Sequence, residues 1–330
     1  MKDDFNILIS SAGRRVALLR IFRRTLAEMG LQGKVMASDM SLLSSAVHAA
    51  DQSFLVPPCT SPEFIPRMLD ICCENSIRLI VPTIDTELPM YASHRDRFLT
   101  VGTTVAISGP EVVSIGGDKE KTFNWLNGNG FPTVRQAPVD EVVRESNPWA
   151  FPLLVKPRFG SASIGVTTVR DLDNLRVISP TAGLLVQTIA KGNEYTVDIL
   201  ADSQGNCLCA VPRKRLEVRG GEVSKGLTFR NEFIVGLAQR ICKTLPGAYG
   251  ALNVQIFLDD ATGDLKVIEI NPRFGGGFPL TWEAGGKFPQ WMIEELLGLP
   301  STASPSSWKD GLVMLRYDEA VFINAGEAGI

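Results

Sequence analysis

The sequence predicts an α/β unit followed by an α+β unit: a small doubly wound parallel sheet at the amino-terminal end, a separate lid, and an antiparallel carboxyl-terminal sheet. Three observations carry this. The first hundred or so residues alternate apolar strands with helices, the middle breaks at a Gly/Asn/Pro cluster, and the last third holds long strands joined by a hairpin. With 330 residues, 45% hydrophobic and 21% charged, the chain has material for two or three packed units of ordinary globular composition.

The elements follow in order. "FNILISSAGRRVALLRIFRRTLAEMG" reads as a strand, a small-residue turn and a helix closed by Gly30, and "KVMASDM" as the second strand of a βαβ unit. "SIRLIVPTIDTELPMYASHRDRF" and "TVAISGP" continue the alternation, giving a first domain over 1–115. From "GGDKEKTFNWLNGNGFP" a helix headed by Lys119 leads to "FPLLVKPRFGSASIGVTTV", two strands joined by a loop, and the lid is bounded at 116–185. The remainder, 186–323, carries strands around "GLLVQTI", "EYTVDILAD" and "CLCAVPRKRLEV", a helix near "NEFIVGLAQRICKTL", and the hairpin "ALNVQIFLDDATGDLKVIEINP" turned at its Asp/Gly cluster. "NAGEAGI", 324–330, is small and polar and is expected to be a flexible tail.

A formal charge of −3 predicts no broad nucleic-acid surface. The start, MKDDFN, lacks a basic segment followed by an apolar one, and no later run is apolar enough to span a bilayer, so a cytoplasmic protein without a membrane partner is expected. Six cysteines show no zinc-like spacing and only His48 and His94 could supplement them, which sets aside zinc hydrolysis and cysteine nucleophile chemistry.

The chemistry concentrates in four stretches. In "DLKVIEINPRFGGG" strand alternation points Glu269, Asn271 and Arg273 one way and Ile268 and Ile270 the other. Gln255 on the partner strand completes a set of three oxygen donors suited to Mg²⁺ (or Mn²⁺), and Arg273 offers a phosphate a fixed fork of donors. In "LLVKPRFGSASIGV", Lys156 ends a buried strand before a loop with Gly160, Ser161, Ser163 and Gly165, whose backbone N–H groups can approach phosphate oxygens; the order of lysine and glycines is not that of a Walker A loop. "LLVQTIAKGNEYTVDIL" places Gln187 and Glu194 on either side of a strand connection, and "VPRKRLEVRGG" puts Arg213, Arg215 and Arg219 at even-numbered separations on one strand face, open to an anion. An exposed polar sheet face, a hairpin tip, a surface acid and a solvated strand edge are the alternatives, and spacing alone leaves them open.

Taken together and in this order, these stretches resemble the ATP-grasp superfamily, and specifically one ATP-binding half of the carbamoyl-phosphate synthase large chain, over roughly residues 5 to 320. The resemblance implies the ATP-grasp fold with an amino-terminal pre-ATP-grasp domain. It further implies that Lys119 and Lys156, with Ser161 and Ser163, contact ATP phosphates, that Gln187 and Glu194 lie by adenine and ribose, and that Gln255, Glu269 and Asn271 surround the metal. Many relatives have an acidic residue where this sequence has Gln187. Arg273 would steady the transferred phosphate or acyl phosphate, with Lys156 and Arg215 beside it. Only one such unit is present, whereas carbamoyl-phosphate synthase needs two and a glutaminase partner.

The implied reaction joins a small-molecule carboxylate to an amine: the carboxylate attacks the γ-phosphate of ATP and the amine displaces phosphate from the acyl phosphate. Ligands of open α/β sheets collect at the carboxyl ends of the strands, which points to "SSAGRR" and "PTIDTE". Arg14 or Arg15 would hold a carboxylate there, Asp85 or Glu87 an amine, Arg213 and Arg215 the activated carboxylate, and Gly276 would leave room for the acceptor. Rival readings are a small-acid kinase, a non-catalytic nucleotide-binding module, and an NAD-dependent dehydrogenase; the last is disfavoured by the single glycine in "SSAGRR". The apolar strand "GLVMLRY" is expected to serve either the core or a homodimer face.

Overall fold

The computed structural model describes residues 4–144, 149–160, 164–179 and 181–330. Its amino-terminal unit alternates β1 (Asn6–Ser10), α1 (Val16–Glu28), β2 (Val35–Asp39), α2 (Ser45–Ala49), β3 (Ser53–Leu55), α3 (Phe64–Glu74), β4 (Ile77–Pro82), α4 (Leu88–Thr100), β5 (Thr104–Val105) and α5 (Pro110–Gly116). The five strands pair in parallel in the order β3-β2-β1-β4-β5, so the chain winds outward in both directions from β1. β1 is buried on both faces, as a central parallel strand covered by helices must be.

The lid holds α6 (Lys119–Gly128), β6 (Gln136–Pro138), α7 (Val139–Arg144), β7 (Leu153–Pro157), β8 (Thr167–Val169), α8 (Leu172–Ile178) and β9 (Leu184–Thr188). Its antiparallel sheet, β6-β9-β7-β8, closes a small core of its own around Trp149, Leu153, Leu175 and Val186. The expected boundary at 185 cuts through β9, whose partners β6 and β7 both lie in this sheet, so by pairing the lid extends to Thr188. α6 goes the other way: Leu126 is packed in the carboxyl-terminal core, with Trp125 against it.

The carboxyl-terminal unit comprises β10 (Asn193–Ala201), β11 (Cys207–Arg219), β12 (Glu222–Thr228), α9 (Glu232–Thr244), β13 (Gly250–Leu258), β14 (Leu265–Asn271), α10 (Phe278–Ala284), α11 (Phe288–Leu296) and β15 (Val313–Leu315). Its sheet runs β14-β13-β10-β11-β12-β15, antiparallel throughout. One face packs on α9 through Tyr195, Val197 and Ile199. Part of the other face, with Leu200, Val211 and Ala251, shares a continuous core with α1, α10, α11 and the amino-terminal sheet, so the two larger units are one packed body.

Three expectations change. The pairing of β13 with β14 shifts register after Gln255, so Glu269 faces Gln255 while Val267, not Ile268, faces Ile256. The bulge turns Val267 and Ile270 into the core and leaves Ile268 half-buried. Of "GLVMLRY" only Leu312 packs against the core, while β15 itself is an open edge strand with Val313 and Leu315 exposed. The tail is also more ordered than its composition suggests: Ala325–Ala328 form a 3-10 turn capped reciprocally by Asn324 and Glu327. Among the described residues no helix is long and apolar enough to cross a membrane.

The two loops at the carboxyl ends of β1 and β4 are sewn together by one buried carboxylate. Glu87 Oε2 accepts the Ser10 and Ser11 hydroxyls at 2.6 and 2.8 Å, and Oε1 accepts the Thr83 and Ile84 N–H groups at 2.7 and 3.2 Å. Burial raises its pKa, and the four hydrogen bonds work against that rise. Glu87 is therefore a stitch in the scaffold and not the amine ligand expected from the sequence. Glu87→Ala should lower the unfolding free energy by about 3 kcal/mol in urea titration, because it orphans buried donors. Glu87→Gln, which keeps one oxygen for the backbone donors, should lose less than half of that; equal losses would contradict this role.

Candidate active site

On adjacent strands of the carboxyl-terminal sheet, one face is polar at one end and apolar at the other. β10 sets Glu194, Thr196 and Asp198 before Leu200, β11 sets Arg215 and Arg213 before Val211 and Cys209, and β13 sets Gln255 and Asn253 before Ala251. Period-two alternation puts each series on one side. Register then builds rows across the sheet: Thr196, Gln255 and Glu269 in one, Asp198, Asn253 and Asn271 in the next. Above these rows is a cavity of about 550 Å³, walled by Arg15, Thr83 and Asp85 from the amino-terminal unit, by Lys119 and Gly160 from the lid side, and by Gly275–Gly277. A neighbouring cavity of about 210 Å³, bounded by Lys156, Ile164, Val166, Glu194 and Val218, shares Lys119, Gln255 and Glu269 with it.

Beneath the first cavity lies a buried ion pair. Arg213 donates from Nε and Nη2 to Asp198 at 2.7 and 2.9 Å, and the Thr281 hydroxyl donates to the same carboxylate. Arg213 is 1% exposed, and its Nη1 has no hydrogen-bond partner. The glycine run fits around this pair: a Cβ at Gly277 would stand 2.2 Å from Arg213 Nη1, and one at Gly275 would stand 3.5 Å from Asp198. Asn253 extends the network, donating to the Arg273 carbonyl at 3.0 Å and accepting from Asn271 Nδ2 at 3.3 Å. That bond fixes the Asn271 amide so that its oxygen keeps both lone pairs.

Other predicted ligands are matched to one another. Arg273 donates from Nε and Nη2 to Asp85 at 2.6 and 2.7 Å, a bidentate pair that ties β14 to the loop after β4. Arg215 donates to Glu194 at 2.6 Å and to the Gly221 carbonyl at 3.1 Å. Burial raises the Glu194 pKa, the Arg215 charge opposes this, and Glu269 adds to it. Arg219 pairs with Asp318 at the surface and lines neither cavity.

Lys156 behaves differently. It is 3% exposed, on β7 of the lid, and makes no hydrogen bond from its ammonium to a described residue. Burial pulls its pKa down to about 8; the Glu269 carboxylate resists this and the Lys119 charge contributes to it. Glu269 and Gln255 likewise form no side-chain hydrogen bond with described residues. Lys119 sits at the head of α6 and donates to the Gly160 carbonyl at 2.5 Å. The lid is clamped there, because Arg158 forks onto Asp118, the residue that caps α6, and also pairs with Glu120. Among the described residues no three His, Cys, Asp or Glu side chains gather to hold a metal, so a cation here would draw on one carboxylate, two amide oxygens and oxygens brought by a substrate.

The structure thus brings Lys119, Lys156, Glu194, Arg213, Arg215, Gln255, Glu269, Asn271, Arg273, Asp85 and Gly276 around two joined cavities. Among the described residues, the expected Arg14, Glu87 and Gln187 line neither cavity. Arg14 is exposed and off the wall, and its neighbour Arg15 lines it instead. Gln187 is buried in the lid sheet between Gln136 and Leu154 and lines neither cavity; its Oε1 has no partner. Ser161 and Ser163 fall outside the described residues. Thr196, Asp198, Asn253, Thr281 and Glu222 are site residues that sequence reasoning missed, although polar alternation in "EYTVDIL" marks two of them.

Removing one partner of a buried ion pair leaves an uncompensated charge. Asp198→Ala should therefore lower the unfolding free energy by about 3–5 kcal/mol in urea titration. A loss below about 1 kcal/mol would contradict the closed geometry of the Asp198–Arg213 pair.

Comparison with known proteins agrees with this architecture. Residues 7–106 match the family described as PylC-like, N-terminal domain, and residues 181–320 the family described as ATP-grasp in the biosynthetic pathway with Ter operon. The carbamoyl phosphate synthase large chain of Bifidobacterium adolescentis is 23% identical over 305 residues, covering 84% of this chain and 26% of that one. The Clostridium botulinum large chain is 23% identical over 278 residues, covering 78% and 26%. This chain spans about a quarter of the length of these relatives. Among solved structures, the biotin carboxylase domain of Hydrogenobacter thermophilus 2-oxoglutarate carboxylase, in complex with MgADP, ADP and bicarbonate, superposes with a TM-score of 0.74 at 20% identity, covering 94% of this chain and 74% of that one. N5-carboxyaminoimidazole synthetase of Staphylococcus aureus gives 0.69 at 16% identity, covering 91% and 79%. The chain has the ATP-grasp fold and resembles one ATP-binding half of the carbamoyl-phosphate synthase large chain.

Proposed function

We propose that the protein is an ATP-dependent, ADP-forming carboxylate–amine ligase that works through an acyl phosphate on amino acids or related small molecules. The observation that carries this reading is Lys156: a buried ammonium with unspent donors, facing the Glu269 carboxylate where two cavities join. A cation is buried this way where a multiply charged anion is to be received. Gln255, Glu269 and the fixed Asn271 amide suit a hard divalent ion, Mg²⁺ or Mn²⁺, which when bound would add positive charge at the phosphate oxygens.

In this reading Lys156 and Lys119 hold the phosphates, and the smaller cavity beneath the lid takes the nucleotide. The acid lies in the larger cavity, its carboxylate oxygen attacking the γ-phosphorus as ADP leaves; the amine then attacks the acyl carbon and phosphate departs. Both steps gather negative charge, and a fixed cation about 4 Å away stabilises it by roughly 4 kcal/mol at an effective dielectric near 20. Ile164 and Val166 of the lid add an apolar cover that limits hydrolysis of the acyl phosphate. Arg273, with two nitrogens spent on Asp85, is a brace rather than the expected phosphate clamp. Glu194, held by Arg215, reaches a ribose only by sharing its second oxygen. Self-association would use the open edge of β15.

The test is ADP and phosphate release from Mg-ATP across amino acids supplied singly and in pairs, with mass spectrometry of products. Release that requires two substrates and yields a condensed mass is expected; one acid with a stable phosphorylated product would make the protein a kinase. Glu269→Gln and Lys156→Ala should each abolish release while the folded state persists, and unchanged turnover in both would refute the assignment.

Lys156 also predicts a pH dependence. Its pKa lies below the unfolded value, so the cost of burying its charge is present below pH 8 and fades as pH climbs toward the unfolded value. Bound phosphates would restore the proton. MgADP affinity should therefore fall by up to about tenfold per pH unit above pH 8 in calorimetry, and the slope should vanish in Lys156→Met. A slope of the same size in that variant would assign the titration to another group.

A further inference from the structure

Most charged side chains facing the larger cavity are already matched: Arg213 with Asp198, Arg215 with Glu194 and Arg273 with Asp85. Lys119, Lys156 and Glu269 belong to the nucleotide end in the reading above. One cation and one anion on the wall remain, Arg15 and Glu222. Arg15 Nη2 lies 3.6 Å from Glu222 Oε1, near enough to attract and too far for a hydrogen bond. The Arg15 side chain donates no hydrogen bond to a described residue. Glu222 Oε2 accepts Arg316 Nη1 at 3.0 Å, which anchors the carboxylate and leaves Oε1 unspent.

The pair is built by three distant segments. Arg15 comes from the turn after β1, Glu222 from the start of β12, and Gly276 lies between them as the floor. A Cβ at 276 would stand 2.9 Å from the Glu222 carboxylate and 3.0 Å from Arg15 Nη1, so a larger residue there would displace the ends of both side chains. The side chains are 21% and 31% exposed and partly desolvated, yet the Arg15 guanidinium and Glu222 Oε1 have no hydrogen bond to a described residue to offset this. Burial raises the Glu222 pKa, but Arg15, Arg316 and Arg14 outweigh it and hold the group below its usual range, so the carboxylate stays ionised at neutral pH.

We propose that Arg15 and Glu222 clamp the head group of an α-amino acid, the guanidinium receiving the carboxylate and Glu222 Oε1 receiving the ammonium. An α-amino acid carries opposite charges on one carbon and can answer a cation and an anion standing side by side. A simple acid would meet Arg15 but be repelled by Glu222, and a simple amine would suffer the reverse, so the pair discriminates by repulsion as well as attraction. The inference rests on the ligase reading for the reaction and adds the class of one substrate and the residues that select it.

The test uses the wild-type protein with MgADP and the common α-amino acids in both enantiomers, each beside its deaminated acid and its decarboxylated amine. Melting temperature is one readout and ADP release from Mg-ATP the other. At least one amino acid should stabilise the protein and, paired with the second substrate found in the release assay above, support release, while its two analogues do neither. Arg15→Met and Glu222→Gln should each raise KM for that amino acid at least about tenfold, with kcat and the KM for Mg-ATP nearly unchanged. Equal responses to the deaminated acid, an unchanged KM in Glu222→Gln, or silence across the panel while MgADP binds would overturn the clamp. If MgADP itself fails to bind, the nucleotide reading falls, and the clamp falls with it.

Discussion

A carboxylate and a guanidinium buried together, Asp198 and Arg213, set the geometry on which the rest of the site depends. Both are almost wholly buried, and the Thr281 hydroxyl takes up one more lone pair of the acid. Such a pair is weak evidence for stability, since apolar residues of similar volume often serve as well. It is better understood as fixing where the polar rows of the sheet end and its apolar core begins: Asp198 precedes Leu200 on β10, and Arg213 follows Val211 on β11. The flat guanidinium also dictates the glycines above it, because no side chain fits at Gly277.

The second constraint is the joint between the two larger units. Asp85 and Arg273 hold the end of β14 against the loop after β4, Gly116 lets α5 come close enough to touch Pro272, and Ser108 both donates to and accepts from the Tyr249 backbone. These contacts place the strand ends of a parallel sheet over the polar end of an antiparallel one. A cavity at such a junction can bring a ligand held by one unit to chemistry held by the other, while the lid, with its separate core, is joined through α6 and through the Pro132–Thr133 backbone, which pairs with Val267 of β14.

Much of this was legible in the sequence, because period-two alternation survives translation into a sheet. Gln255, Glu269 and Asn271 are neighbours, as their spacing implies, and the strand–helix alternation before residue 115 became the parallel sheet. Alternation failed at Ile268, where a bulge adds one residue that no local pattern announces. Partnership was invisible for a different reason: Glu87, Asp85 and Glu194 are acids of the expected kind, but the groups that occupy them lie far away in the chain or fold back as backbone. In the turn carrying Arg14 and Arg15 there is no periodicity to say which points inward. Gln187 was placed by motif order alone, and its strand turned out to lie inside the lid sheet.

The central claim is that this site moves a phosphoryl group onto a carboxylate. It is tested most directly by following oxygen. An acid that supports ADP release, labelled with ¹⁸O in its carboxylate, would be turned over with Mg-ATP and its amine co-substrate, and the released phosphate weighed by mass spectrometry. The account predicts one labelled oxygen in each phosphate, carried over when the acyl phosphate is broken by the amine. Phosphate that contains only unlabelled oxygen would mean that water, not the acid, receives the phosphoryl group, and would contradict it.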